Sequence, residues 1–141
     1  MKKFLIIVLF YFFSFINLYS SEIKLEKIFD GLNKPWSMSF VDRKNIILTE
    51  KSGKLHILNY KEKKISEIKH NLLVLEDGQG GLLDVMYFKD NVYISYSENR
   101  GDWKTSTSVA KGEFKKKKIE FKNIFRAEPP IDSGYHFGSR L

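Results

Sequence analysis

The sequence has 141 residues, a formal net charge of +7 and no cysteine. Its 43% hydrophobic and 15% aromatic content indicates a globular chain rather than a disordered one. The lack of cysteine excludes both a disulfide-stapled fold and a thiolate metal site. Positive charge is scattered among acidic residues except in the run 115–118, so nucleic-acid binding is not predicted.

The first twenty residues have the pattern of a secretory signal peptide. Lys2 and Lys3 form a basic start, residues 4–15 are almost wholly apolar, and Ser20 precedes the predicted cleavage point. We therefore predict a signal-peptide helix over 1–20, a mature domain over 21–141, a periplasmic or secreted location and no stable membrane span after cleavage. Leu18 is unfavourable at its position before the cleavage point, which leaves an uncleaved anchor as the alternative.

The rest of the chain predicts an all-β fold, because short apolar runs alternate with turn signals and no helical period is present. An isolated strand is expected over 22–29. Two units of four strands follow, one over 32–68 and one over 81–125. Their predicted strands are 36–41, 46–50, 55–60 and 65–68 in the first unit, and 82–88, 92–97, 105–114 and 118–125 in the second. The stretch 133–141 is expected to be the first strand of a third unit.

Repetition of four-stranded units every 40 to 50 residues or so is typical of the blades of a β-propeller. Propellers close with about four to eight blades, so two units and one further strand cannot form a ring. We therefore expect the chain to be the N-terminal part of a larger propeller. A small self-contained β-sandwich is the alternative.

Two residues with glycines nearby are candidates for a catalytic or ligand-binding role. His136 lies between Gly134 and Gly138, and histidine is the side-chain type suited to handling protons near physiological pH. Gln79 lies between Gly78 and Gly80, and its amide offers donors and acceptors to a polyol. From the residues alone, the simpler interpretations are an exposed histidine on a strand and a loop whose glycines only allow a reversal.

The other two histidines carry no chemical signal. His56 lies within a predicted strand and His70 in a polar connection, and neither has the spacing of a metal-binding pair with His136. No metal site is predicted from the residues of this chain.

Five phrases of sequence carry a family resemblance. They are GLNKPWSMSF (31–40), LTEKSGKL (48–55), GQGGLLDV (78–85), VYISYSE (92–98) and GYHFGSRL (134–141). In this order they resemble the N-terminal part of the pyrroloquinoline-quinone (PQQ)-dependent soluble aldose sugar dehydrogenases. The resemblance covers nearly all of residues 31–141.

The resemblance implies a six-bladed β-propeller with PQQ and calcium in its central cleft. Such an enzyme oxidises the anomeric hydroxyl of an aldose sugar to a lactone and passes the electrons to an acceptor. His136 matches the family's catalytic histidine, a general base that also contacts the sugar, and Gln79 matches a glutamine that hydrogen-bonds the sugar. Tyr135 stands where the glucose-oxidising branch has an acidic residue, which favours the broader aldose branch.

The resemblance also limits the cofactor-binding residues and the activity that can be assigned to this chain. The family's PQQ contacts and calcium ligands lie in later blades, so the cofactor-binding residues are unknown here and the 141 residues alone are expected to be inactive. The alternative function is a non-catalytic propeller that acts as a binding or scaffold module in the cell envelope.

Overall fold

The computed structural model describes residues 22–141, and the predicted signal-peptide helix lies outside them. The described residues form nine strands in two sheets, which confirms the all-β prediction. In chain order the strands are β1 (Pro35–Phe40), β2 (Asn45–Glu50), β3 (Leu55–Asn59), β4 (Lys64–His70), β5 (Leu82–Phe88), β6 (Asn91–Asn99), β7 (Thr105–Glu113), β8 (Lys118–Ile119) and β9 (Lys122–Arg126). Residues 22–141 contain no helix long and apolar enough to cross a membrane.

The first sheet has the order β1-β2-β3-β4-β8. Strands β1 to β4 are antiparallel neighbours and match the four strands predicted for the first unit to within about two residues. Local sequence explains the turns: the Asp42 carboxylate accepts hydrogen bonds from the backbone N–H groups of Lys44 and Asn45 at 2.7 and 2.9 Å, and Gly53 has a φ of 98°. These residues reverse the chain without help from distant contacts.

The second sheet has the order β5-β6-β7-β9. The prediction of one strand over 118–125 is wrong, because this stretch is divided between the two sheets. Strand β8 pairs in parallel with β4, while β9 pairs with β7. Between them, the Asn71 side chain binds the backbone N–H and carbonyl of Phe121 at 2.8 and 3.0 Å. Ile119 and Phe121 are buried. Burial of both side chains favours this crossing of the chain from the first sheet to the second between β8 and β9.

Two other predicted strands are absent from the described residues. Residues 22–29 have no strand pairing, and Ile23 and Leu25 are 86% and 97% exposed. Their apolar alternation fits a strand, but a strand needs a partner and none lies beside them. Residues 133–141 are irregular, because His136 and Gly138 have φ values of 65° and 63° that break an extended backbone.

One apolar core joins the sheets. Its buried members are Ile47, Leu55, Ile57 and Ile68 from the first sheet, Leu82, Val85, Val92, Ile94, Tyr96 and Ala110 from the second, and Ile119 and Phe121 around the crossing. Polar contacts align the sheets further: Ser37 Oγ donates to Asp84 Oδ1 at 2.5 Å, and Thr49 Oγ1 donates to the Leu83 carbonyl at 2.7 Å. Strands β1 and β2 are thereby both held beside β5.

Candidate active site

A glycine-rich loop presents Gln79 just before strand β5. Gly78 has a φ of 50°, and Gly80 N–H donates to the Asp77 carbonyl at 2.6 Å to close the turn. A Cβ on Gly80 would lie 2.7 Å from Ser97 Oγ and 2.9 Å from the Phe137 ring. This position therefore requires glycine, and the tight turn leaves the Gln79 side chain exposed.

The loop is bonded to the stretch that carries His136. Gln79 N–H donates to the Gly134 carbonyl at 2.7 Å, and His136 N–H donates to Gln79 Oε1 at 3.1 Å. A Cβ on Gly78 would lie only 2.4 Å from the Gly134 oxygen, so the close approach of the two backbones depends on glycine. The structure thus brings the two predicted site residues together, although they are far apart in sequence.

His136 is held by its backbone, and its ring is exposed. Its φ of 65° is in the left-handed region, which is uncommon for residues other than glycine. The next residue, Phe137, is buried, and its carbonyl accepts a hydrogen bond from Thr107 Oγ1 at 3.0 Å. Within residues 22–141 no hydrogen bond engages the imidazole, which leaves both ring nitrogens accessible to a ligand. The roles of His136 and Gln79 stay a prediction.

The last described residues, 139–141, are hydrogen-bonded to strands β1, β5 and β6. The Ser139 hydroxyl accepts a hydrogen bond from Trp36 Nε1 at 2.9 Å, and the Ser139 carbonyl accepts one from Ser95 Oγ at 2.5 Å. Two residues later, Leu141 N–H donates to Asp84 Oδ2 at 2.7 Å. These supports were missed from the sequence, although Asp84 stands within the phrase 78–85 that carried the family resemblance.

A lysine adds positive charge beside the glycine-rich loop. Lys51 Nζ donates to the Gly78 carbonyl at 2.7 Å and lies 5.6 Å from the centre of the Trp36 ring. Its own carbonyl accepts a hydrogen bond from Leu82 N–H at 3.1 Å. Lys51 therefore joins the turn between β2 and β3 to the loop that presents Gln79.

The other histidines have structural roles. His70 Nδ1 accepts a hydrogen bond from Leu72 N–H at 3.2 Å, so Nε2 carries the proton that it donates to the Gly53 carbonyl at 2.6 Å. His56 lies 3.6 Å from the buried carboxylate of Glu50. In the described part of the chain, no group of three or more His, Asp or Glu side chains could hold a metal ion.

A buried carboxylate organises the second sheet. Glu98 accepts hydrogen bonds from Arg126 Nε and Ser108 Oγ, both at 2.7 Å, and from Asn123 Nδ2 at 3.1 Å. Burial raises the pKa of Glu98, but the Arg126 and Ser108 bonds outweigh it and hold that pKa below its usual range. Burial raises the pKa of the neighbouring Tyr96 hydroxyl. This network is supporting structure, because no member contacts Gln79 or His136.

Comparison with known proteins identifies related chains. The family described as Glucose / Sorbosone dehydrogenase matches residues 32–141. Aldose sugar dehydrogenase YliI of Escherichia coli (strain K12) is 31% identical over 128 residues, covering 84% of this chain and 34% of that protein.

Solved structures share the fold. A crystal structure of glucose dehydrogenase has 33% identity and a TM-score of 0.76, covering 82% of this chain and 36% of its own. The PQQ-bound form of aldose sugar dehydrogenase from Streptomyces coelicolor has 16% identity and a TM-score of 0.65, covering 74% of this chain and 34% of its own. The chain spans about a third of the length of these relatives.

Proposed function

This chain belongs to the glucose/sorbosone dehydrogenase family, and on that premise we propose that the protein carrying it oxidises the anomeric hydroxyl of aldose sugars to lactones. The observation that supports this most is the direct contact between the glycine-rich loop and the His136 stretch. The Gln79 side-chain oxygen accepts a hydrogen bond from the His136 backbone N–H at 3.1 Å, and both residues are exposed. A base can accept the proton released in such an oxidation, and an amide can orient the sugar.

In the proposed reaction, His136 accepts the proton of the anomeric hydroxyl. An imidazole suits this step because its unperturbed pKa lies near the working pH. The Gln79 oxygen already accepts the His136 N–H, so its amide N–H groups donate to a sugar oxygen and orient the ring. The anomeric hydrogen leaves with two electrons as the carbon becomes a lactone carbonyl.

PQQ, with calcium, is the acceptor that we propose for those electrons, and PQQ supplies the redox chemistry when bound. Residues 22–141 hold no cluster of carboxylates fit for calcium, and we assign none of them to either group. The proposal therefore applies to a full-length family member with a six-bladed propeller. We expect no turnover from these 141 residues alone, since they span about a third of the relatives' length.

The substrate range and location are further parts of the proposal. Tyr135 precedes the histidine, which favours aldoses in general over glucose in particular. The basic and apolar pattern of residues 1–20 supports export to the periplasm or out of the cell, where sugars and an electron acceptor are available.

The test is a dye-reduction assay with PQQ, calcium and a panel of aldoses. In the full-length protein, His136→Ala should abolish turnover and weaken sugar binding, measured by calorimetry, far less. His70→Ala is unsuitable as a control because that ring is structural, whereas Tyr135→Phe keeps the exposed ring and should retain turnover. A His136→Ala protein that keeps its rate refutes the assignment, and a native protein that binds aldoses without oxidising any of them supports the scaffold alternative.

A further inference from the structure

An exposed tryptophan is held in a strained loop between β6 and β7. Trp103 is 79% exposed, and Gly101, Asp102 and Trp103 all have left-handed φ values, of 82°, 47° and 59°. A bulky residue disfavours this conformation, and such strain persists only where the surrounding structure maintains it. Strain of this kind concentrates at ligand-binding sites.

Backbone and side-chain bonds maintain the strain. Arg100 N–H donates to the Lys104 carbonyl, and Lys104 N–H donates to the Gly101 carbonyl, both at 2.9 Å. The Arg100 guanidinium also binds Ser106 Oγ at 2.7 Å and Glu128 Oε1 at 2.9 Å. The backbone of the loop is therefore fixed at both ends, on either side of Trp103.

The indole lines a groove with a composition suited to sugar. The groove has a volume of about 430 Å³ and is lined by Leu75, Asn99, Gly101, Asp102 and Trp103, which is within the roughly 300–1,000 Å³ of small-molecule sites. Asn99 Oδ1 accepts the Gly101 N–H at 3.0 Å, so its amide N–H groups remain as donors. Indole offers an apolar face to the C–H groups of a sugar ring, while amide and carboxylate groups bind hydroxyls.

The groove lies at the same end of the sheets as the candidate active site. Leu82 at the start of β5 is paired with Tyr96 near the end of β6. The residues before β5 and those after β6 therefore lie at the same end of the second sheet. Two residues after Trp103, Thr105 Oγ1 donates to the Ser133 carbonyl at 3.2 Å, and Ser133 begins the stretch that carries His136. One hydrogen bond thus links the β6–β7 connection, which carries Trp103, to the stretch that carries His136.

We propose that this groove binds the second ring of an oligosaccharide whose reducing-end aldose is bound at Gln79 and His136. The inference rests on the proposed function and deepens it by assigning a second sugar subsite. Trp103 stacks on the ring, and Asn99 and Asp102 bind its hydroxyls. A monosaccharide reaches only the first subsite, so Trp103 affects disaccharides selectively.

The kinetic test compares glucose with maltose and cellobiose, which share a reducing-end glucose. Trp103→Asn removes the ring while tolerating a left-handed backbone, and it should lower kcat/KM for the disaccharides about tenfold, as for loss of one aromatic contact, with glucose unchanged. Trp103→Phe should retain most of the disaccharide activity. Phe88→Ala, which removes a 52% exposed ring at the opposite end of β5, is the matched control and should have no effect. Equal losses for glucose and the disaccharides, or no loss, overturn the subsite.

A binding measurement separates this inference from the proposed function. In saturation-transfer NMR with cellobiose and maltose, the non-reducing ring should receive magnetisation from the native protein and from Trp103→Phe but not from Trp103→Asn. This readout needs no turnover. A protein that oxidises no aldose contradicts the proposed function, while an unchanged NMR signal in Trp103→Asn contradicts the second subsite.

Discussion

Replacement of Gln79 tests whether this side chain positions His136 as well as binding sugar. Its oxygen accepts the His136 N–H at 3.1 Å, and its amide N–H groups are left for the substrate. Gln79→Met keeps the length of the side chain and removes both functions. Gln79→Glu keeps the acceptor and removes the donors, so the two variants separate positioning from sugar binding.

The size of the positioning effect follows from two opposing terms. The left-handed backbone at His136, with its φ of 65°, costs about 1–2 kcal/mol for a residue with a side chain. The hydrogen bond to Gln79 contributes about 1 kcal/mol and so offsets much of this cost. Its loss should lower the equilibrium constant for the observed conformation by about fivefold, since 1.4 kcal/mol corresponds to tenfold.

The assay is steady-state kinetics on the full-length protein, with each variant compared on its own pH plateau because a carboxylate beside an imidazole shifts its titration. Gln79→Met should lower kcat about fivefold and raise KM, whereas Gln79→Glu should raise KM and retain kcat. Hydrogen exchange at the His136 amide, measured without sugar, should accelerate in Gln79→Met alone. A Met variant with native kcat and native exchange refutes the positioning role, as does a Glu variant that loses as much kcat as the Met variant.

Two further predictions concern stability. Gly78→Ala should destabilise the protein by about 1–3 kcal/mol more than Gly31→Ala in chemical unfolding, because both glycines have positive φ but only the Cβ at Gly78 meets another backbone, at Gly134; equal losses would contradict the close-approach argument. The pKa of Glu98 is lowered in the folded state, so its contribution is present at neutral pH and is lost as pH falls through that lowered pKa. Stability should therefore decline more steeply on acidification in the native protein than in Glu98→Gln, while the exposed Glu128→Gln should follow the native profile in pH-dependent thermal melts.

The strands that the sequence predicted well are those whose turns are encoded locally. The loop after β1 is closed by Asp42 within three residues, and Gly53 reverses the chain between β2 and β3. Alternation of apolar residues then sets which face is buried. The prediction failed over 22–29, where alternation is equally clear, because pairing depends on a partner strand that alternation does not reveal.

Predictions that depend on distant partners were less complete. The division of 118–125 depends on Asn71, 50 positions before Phe121 in the chain, and no local pattern marks that contact. Gln79 and His136 were identified from their glycine-rich flanks and from the family phrases. The bond between them was not predicted, because it joins residues separated by 57 positions. The partners of Glu98 were missed for the same reason.

The short parallel pairing of β8 with β4 sets an order of assembly. Within residues 22–141, Lys69 and His70 have strand partners only in Lys118 and Ile119. Ile119 in turn packs so closely on β7 that a Cβ at Gly112 would lie 2.5 Å from it. During synthesis from the N-terminus, the last two residues of β4 therefore stay unpaired until β5, β6 and β7 have been made. This pairing joins distant parts of the chain, a kind of contact that slows folding, and it covers two residues of a strand edge that would otherwise be open to aggregation.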